Sequence, residues 1–585
     1  IGGLLVLMLV AAVAVPPFVD WGQFKDRFEA EASRVIGQPV RVGGRTKAKL
    51  LPLPSVTFTD VSVGPDGSPL LSASTFHVNV ELAPLLKGDV QIVDMTMDGP
   101  RLNLALNDEG RLIWPAGSAD PRVPVRPEEV AVETITITNG AVVLADNRTG
   151  RTIELADLNA TASADTLIGP WRGEGRFSRN GVRNRFSVSS GQWKSAGRIT
   201  LKVDLEPQDQ PYDYALDGTF RFANRVPAFD GIARVKRLGT PSDKDRIEFP
   251  RPSRTDALPV QLEADINIAT GGATFPAFKL DIGPTDDPYT VTGTAQAVFA
   301  ERLNYRLEAE GQQIDLARLQ AAVPQQEGRS AQSRLEAVLN VLRQVPVPVT
   351  QGEISLYLPA VIAGDTVIRE VGFDARPAVD ATESWEIRNL EAQLPGRTEL
   401  RADGVLNPGF EPRFDGNLIV ASRQPSGLAK WLGHEPGEAL RGLSSAGVST
   451  KASITSQAAV LDDLEIITGG QQLTGRLVRS VGEDGRPLIE AELSGTGRVV
   501  EQMEELATMI SGGGSPVARH DLKVSRSADL VQWDGVRASG VIAKGERRGD
   551  AVRIDKLQID DVAGAKVDAT MDLRLLPQNL RGEAL

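Results

Sequence analysis

The chain has 585 residues, of which 41% are hydrophobic and only 5% aromatic, and a formal charge of −13. That hydrophobic content excludes global disorder, and an acidic surface with both signs interspersed sets nucleic-acid binding aside. The absence of cysteine excludes disulfides, thiolate nucleophiles and cysteine-ligated metals, and fits an oxidising compartment. The three histidines, His77, His434 and His520, stand in dissimilar contexts and suggest neither a metal site nor a triad. No catalytic, cofactor-binding or metal-binding residue is assigned, no cofactor is expected, and the chain reads as a protein that is not an enzyme.

Residues Ile1–Val19 carry no charge, and Ile1–Val15 are apolar or glycine throughout. A helix of that apolar run would span ~22 Å, a little short of a ~30 Å hydrocarbon core. Because the sequence begins inside the apolar segment, it reads as part of a longer transmembrane anchor. A cleaved signal is the rival, since Ala12-Val13-Ala14 offers an A-x-A site. Pro16-Pro17, followed at once by Trp21, favour the uncleaved anchor, with the rest of the chain on the non-cytoplasmic side.

From Asp20 to Ile36, Trp21, Phe24, Phe28, Ala32 and Val35 recur at helical spacing and give one apolar face. Asp20 is the expected N-cap, and Gly37 with Pro39 stops the helix. Docking of this face on the first strands is favoured over a membrane-surface helix. On the membrane reading Trp21, Phe24 and Phe28 are the candidate contacts.

After Pro39 the pattern changes to period two. Val56 and Phe58, Val78 and Val80, and Leu102, Leu104 and Leu106 alternate with polar or small residues, as do Ile135 and Ile137, Phe220 and Phe222, and Leu356 and Leu358. These thirteen are the candidate apolar lining. Gly99-Pro100, Asn139-Gly140, Gly364-Asp365 and Asp415-Gly416 are read as turns between strands. Helical patterns are few: Gln312–Ala322, Ala331–Arg343, Gly427–Leu432 and Val500–Ile510.

Strict alternation implies antiparallel sheet with one apolar face, which must be buried against something. About thirty strands are expected, and side by side at ~4.8 Å they would extend on the order of 140 Å. That exceeds a barrel or a single sandwich. Leu307–Leu319, Phe414–Leu432 and Ile489–Ile510 suggest divergent repeats of roughly a hundred residues, each closed by a strand and a short helix. Ser511–Pro516 is the clearest linker.

Other chemistry finds little support. Asp286-Asp287 and Asp462-Asp463 sit in turn-like contexts, and glycoside hydrolysis would also need two carboxyls held across a sugar-binding cleft. Gly495-Thr496-Gly497 lacks the lysine of a phosphate loop and is read as a turn. Arg41, Arg45, Lys47 and Lys49 could meet anionic headgroups, but a solvated strand edge is the favoured account.

Several segments in a fixed order carry a family likeness. They are Glu31–Val42 (EASRVIGQPVRV), Leu51–Gly64 (LPLPSVTFTDVSVG), Ala83–Gly88 (APLLKG), Met97–Pro100 (MDGP) and Asn107–Trp114 (NDEGRLIW). Ile135–Asp146, Gln313–Leu319 and Trp385–Gly404 continue it. The chain resembles the AsmA family of bacterial envelope proteins, most closely in its first 160 residues or so. The resemblance implies a single-pass inner-membrane anchor and a periplasmic body, a long, twisted, repetitive antiparallel β-sheet trough with a few short helices. It implies phospholipid as cargo, the inner membrane at one end, and an outer-membrane or periplasmic protein as a partner at the far end. The alternative is an envelope assembly or tethering factor that assists outer-membrane protein insertion. The expected division is 1–19 anchor, 20–37 amphipathic helix and 38–205 AsmA-like amino-terminal β region, then β repeats over 206–325, 326–435 and 436–510. A further β region, 511–585, reads as cut short at Leu585.

Overall fold

The computed structural model describes residues 25–49, 53–81, 91–113, 131–194, 197–208, 210–237, 259–283, 286–315, 350–363, 366–378, 383–408, 411–455, 457–481, 486–495, 521–533, 536–549 and 551–574. The apolar segment 1–19, Trp21, Phe24, the predicted helices at 331–343 and 500–510 and the 511–516 linker lie outside the described residues. Among the described residues no helix is long and apolar enough to cross a membrane. The fold is mainly β, with 31 strands and few helices among the described residues. It divides into two compact units, 1–305 and 306–585.

The first unit opens with α1 (Lys25–Ile36), which ends where Gly37 takes a positive φ of 70°. The short strands β1 (Val40–Val42) and β2 (Thr46–Lys49) both pair with β3 (Ser55–Val63), which pairs with β4 (Leu71–Val80). Two bonds tie α1 to β1: Val42 N donates to Glu29 Oε1 at 2.7 Å and Val40 N to Ser33 Oγ at 2.8 Å. The Phe28 ring stacks on Phe58, centroids 4.0 Å apart. Phe28 is therefore a docking contact of α1 on the sheet, as the favoured reading of the helix expects.

β5 (Gln91–Asp98) and β6 (Arg101–Leu106) follow one another across a bend at Gly99-Pro100, so the turn expected there does not reverse the chain, and both run parallel to β7 (Ala131–Asp146) in continuous register. Next come β8 (Arg151–Ala164), β9 (Trp171–Arg179), β10 (Val182–Ser190), β11 (Arg198–Pro207) and β12 (Tyr212–Ala223). β13 (Val226–Arg237), β14 (Val260–Ala269), β15 (Gly272–Ile282) and β16 (Tyr289–Val298) complete the run. From β7 to β16 each strand pairs antiparallel with the next.

The second unit begins within β17 (Asn304–Gly311), followed by β18 (Ile314–Asp315), β19 (Gln351–Ala363), β20 (Thr366–Pro377), β21 (Trp385–Leu394) and β22 (Thr398–Asn407). After β23 (Arg413–Ser422) come the helices α2 (Pro425–Trp431) and α3 (Glu438–Arg441). β24 (Ala446–Ile454), β25 (Ala459–Thr468), β26 (Gln471–Val481) and β27 (Pro487–Gly495) follow, then β28 (Asp521–Trp533), β29 (Val536–Arg548), β30 (Ala551–Val562) and β31 (Ala565–Arg574). Leu428, Ala429, Leu440 and Leu443 make a small core where α2 and α3 meet, with Val420 packed against it.

Parallel pairs interrupt the antiparallel order expected from alternation: β5–β7, β6–β7, β18–β19 and β27–β28. A parallel neighbour needs a long connection, and the residues before β7, β19 and β28 supply one. Ile314 and Asp315, expected in a helix, form a strand against Val361 and Ile362. Ile314 is buried there, and burial outweighs local helical pattern. Residues 316–322 of that predicted helix lie outside the described residues.

Two of the expected turns lie inside strands. Asn139 and Gly140 form a bulge in β7, with Asn139 at φ 54°. Gly416 sits mid-strand in β23, opposite Gly404 in β22. A Cβ at Gly416 would meet Gly404 Cα at 2.7 Å, and one at Gly404 would meet Gly416 Cα at 2.5 Å. Gly218 and Gly231 make the same close approach in the first unit, at 2.6 Å. Gly364-Asp365 lies outside the described residues, between the paired ends Ala363 and Thr366.

Within the first unit the two ends of the strands meet. Strand direction alternates from β7 onward, so the segments 107–113 and 147–150 lie at one end, while 224–225, 270–271 and 299–303 lie at the other. In a flat sheet β7 and β14 would stand ~33 Å apart. Yet Leu112 N donates to Arg225 O at 2.8 Å. Arg148 Nη2 donates to Thr270 O at 2.6 Å and Nη1 to Phe299 O. Arg151 Nη2 reaches Glu301 O at 3.2 Å. The sheet of this unit coils until its opposite rims touch, with twist supplied by the strands themselves.

This geometry is testable in a chain without native cysteine. A Cβ built on Gly110 lies 2.8 Å from Thr270 Cβ, so Gly110→Cys with Thr270→Cys should cross-link under mild oxidation after a small adjustment. Free thiols throughout, in folded protein, would mean that the rims part in solution. In the second unit, Gly416→Ala should cost about 1–3 kcal/mol by overpacking. Gly447→Ala, whose new Cβ would meet only Val420 O at 3.9 Å, should shift the thermal midpoint far less. Equal shifts would discount the close Gly404–Gly416 approach.

Candidate functional site: the apolar face of the sheet

Cross-strand register, not chain order, builds the candidate site. One row of paired residues in the first unit reads Phe58, Phe76, Met97, Ile137, Ala160, Gly175, Phe186, Leu205, Tyr214, Val235, Leu262, Leu280, Val291. The next reads Val56, Val78, Met95, Ile135, Ala162, Gly173, Val188, Val203, Leu216, Ala233, Ala264, Phe278, Gly293. Residues paired in register share a face, so both rows are continuous apolar tracks over the same strands. Neither contains a charge.

The structure brings the candidate lining residues of the first unit onto this face. Val56, Phe58, Val78, Ile135 and Ile137 are in the two rows, and Val80 pairs with Ile92 beside them. Leu102 and Leu104 pair with Val142 and Leu144, and Leu106 with Asp146. Phe220 pairs with Phe229, Phe222 with Pro227, and the Phe220 and Phe222 rings stack 6.5 Å apart.

The second unit repeats the arrangement. Its central row reads Ile354, Ala375, Ile387, Gly404, Gly416, Ala452, Leu461, Leu477, Ala491, Val524, Gly545, Ile554, Met571. Leu356 pairs with Phe373 and Leu358 with Val371 on the same face. Here Ala375, Trp385, Ile387 and Leu406 form a buried cluster, with Ile354 and Phe414 against it. The face packs on itself at that point.

Elsewhere the face is only half covered. Of the thirteen candidate lining residues, Phe58, Leu106 and Ile135 are buried and the others are half-buried. The face is nevertheless apolar enough to disfavour charge: burial pushes the Tyr214 phenol up, with Tyr212 nearby adding to the effect, and burial does the same to Tyr289.

The opposite face carries most of the cross-strand ion pairs among the described residues. Arg306 and Arg388 both hold Glu353, at 3.1 and 2.9 Å, and keep its carboxyl below the ordinary range. Asp462 and Asp463, read as a turn-like acidic pair, stand in β25 at a bulge. Each faces a cation, Arg476 at 2.6 Å and Lys451 at 2.7 Å. Asp286 and Asp287 are in the connection between β15 and β16. Lys47 and Lys49 are exposed on β2, which pairs with β3, and Arg41 pairs with Asp66 at 2.6 Å.

Sequence reading missed the residues that interrupt the apolar face. Arg237 belongs to the row Tyr212, Arg237, Val260, Ile282, Tyr289, and its guanidinium lies 5.6 Å from the Tyr212 ring centre. Arg479, Arg526 and Arg547 lie on the apolar face of the second unit. The signal was available at Arg526, where Leu522, Val524, Arg526, Ala528 and Leu530 keep strict alternation with one basic residue in the apolar phase.

No curated protein and no solved structure matches the chain. The family model of the AsmA family matches residues 1–197, a span from the amino-terminal apolar segment to the residue before β11. Order of motifs and strand pattern agree with that match, and residues 1–197 are similar to the AsmA family.

Proposed function

We propose that the chain is an inner-membrane-anchored periplasmic protein that holds phospholipid on its apolar β face and conducts it towards the outer membrane. The observation that carries this reading is the unbroken apolar register across consecutive strands in each unit, left half-covered by the rest of the protein. Exposing a ~16-carbon acyl chain to water costs on the order of 12 kcal/mol at ~0.8 kcal/mol per CH₂. A continuous Val, Leu, Ile and Phe face removes most of that cost without specific chemistry. Coiling of the first unit, rim against rim, supports a trough that shields the tails from water. On this reading the protein acts as a carrier and not as an enzyme. Its partners are phospholipid, the inner membrane and a protein at the far end.

One observation favours the tethering or assembly alternative. The cluster of Ala375, Trp385, Ile387 and Leu406 fills its own stretch of the face, as a purely structural sheet would do throughout.

The full chain, purified from a bacterial envelope in mild detergent, should carry several phospholipids per molecule by phosphorus assay and mass spectrometry. Leu104→Asp and Leu356→Asp each place a charge on the apolar face and should cut that number by more than half with secondary structure intact. A folded chain without bound lipid would reject the conduit and favour the structural role.

A further inference from the structure

On the outward face of β25–β31, three arginines have acidic partners. Arg476 meets Asp462 at 2.6 Å, Arg553 meets Asp555 at 2.9 Å, and Arg548 meets Glu546 at 3.6 Å. The apolar face of the same strands is different. Arg526 on β28 pairs in register with Leu493 on β27 and Ala543 on β29, and the row runs on to Leu557 and Ala569. Arg479 and Arg547 stand in another row of that face: Arg479, Ile489, Leu522, Arg547, Val552, Leu573.

These guanidinium groups are under-used. Nε and Nη2 of Arg526 are buried without a hydrogen-bond partner, and so is Nη1 of Arg547. Arg547 spends its Nε on Gly549 O at 2.8 Å. Among the described residues no carboxylate pairs with Arg479, Arg526 or Arg547. Burial alone pushes the Arg526 guanidinium down from its ordinary pKa. Guanidinium nitrogens buried on an apolar face without a partner are unfavourable even where the side chain is half-buried, and an arriving anion with several acceptor oxygens relieves this.

The spacing suits one anionic group on an apolar molecule. Arg526 and Arg547 lie on adjacent strands and four positions apart in register, ~14 Å between Cα atoms. Two extended arginine side chains can close on a group between them. The floor between them is Val524 and Gly545. Arg479 stands three strands from Arg547, ~14 Å away on the same row. Planar guanidinium forks match phosphate oxygens.

We infer that Arg526, with Arg547 and Arg479, forms an anion-binding station on the apolar face that receives a phosphate group. The inference rests on the lipid-holding reading for the source of that phosphate, a lipid headgroup whose tails lie on the neighbouring apolar rows. Free inorganic phosphate shares the same chemistry and is separated from it by experiment.

The test uses the full chain in detergent, equilibrated with mixed micelles of phosphatidylglycerol and diacylglycerol of identical tails in equal amounts. Wild type should retain the phosphate-bearing lipid over diacylglycerol by about tenfold, the scale of one charge-assisted hydrogen bond. Arg526→Met should bring that ratio close to one while total retained lipid stays the same. Arg476→Met, on the outward face, should leave the ratio unchanged. Arg526→Met should melt at or above the wild-type midpoint, since it removes a buried charge, and Arg526→Lys should restore part of the preference. A ratio that survives Arg526→Met, or a wild type without preference, overturns the station. If wild type retains no lipid of either kind, the conduit reading fails separately. In that case saturable binding of inorganic phosphate alone, lost in Arg526→Met, keeps the anion station, and its absence overturns that too.

Discussion

The backbone ladder between neighbouring strands is the interaction on which the whole structure depends, because it holds apolar side chains in phase from strand to strand. Side chains alternate with a period of two, and a slip of a single residue would turn a strand's apolar set outward. Over so many strands, errors would accumulate. The bulges prevent this by re-phasing strands locally. Asn139 in β7 and Asp157 in β8 both adopt positive φ where the register shifts, and the face resumes as Gly140, Val142 and Leu144 opposite Leu158, Leu155 and Ile153. Glu370 in β20 and Asp463 in β25 do the same in the second unit. Each bulge is a device for phase, and each leaves polar residues on the outer face.

Coiling follows from the same ladder. Strands twist, and a face that bends inward brings its Cβ atoms together. Glycine at Gly218 and Gly231, and at Gly404 and Gly416, removes those atoms where neighbouring backbones come closest. The rim contacts of the first unit then need few specific groups. Arg148 spans from the β7–β8 turn to two carbonyls, Thr270 O and Phe299 O, while its Nη2 also holds Asp146 at 3.2 Å. A carbonyl at a strand end has acceptor capacity to spare, so one arginine fastens rims contributed by distant parts of the sequence.

Much of the fold was legible because alternation is a local signal. Val78 and Val80, or Leu102, Leu104 and Leu106, identify an apolar face within a few residues. What alternation does not contain is pairing. Nothing in Asn139-Gly140 or Asp415-Gly416 separates a turn from a bulge or a close approach; that depends on Leu158 and Gly404 across the sheet. Ile314 became a strand through Val361, a partner far along the chain. Phe28 shows a favourable case, since helical spacing pointed to an apolar face and Phe58 was its natural receiver. Arg526 was visible as a basic residue in an apolar phase, but its lack of a partner became apparent only once its neighbours were placed.

Tail binding and headgroup binding pull a carrier in opposite directions. An apolar face of continuous register offers every position along it the same affinity for an acyl chain, so it favours movement and gives no preferred stopping place. A guanidinium offers the reverse, a directed contact at one point. Three arginines converging on one phosphate would make a trap, but Arg479 and Arg547 stand three strands apart on one row, with Ile489 and Leu522 between them. A phosphate held near Arg526 can share Arg547, or move across Ile489 towards Arg479, without satisfying all three together. Dispersed basic residues on an apolar face thus convert one deep minimum into several shallow ones. On the proposed lipid-carrying role, that compromise would keep a headgroup oriented while its tails slide across the strands.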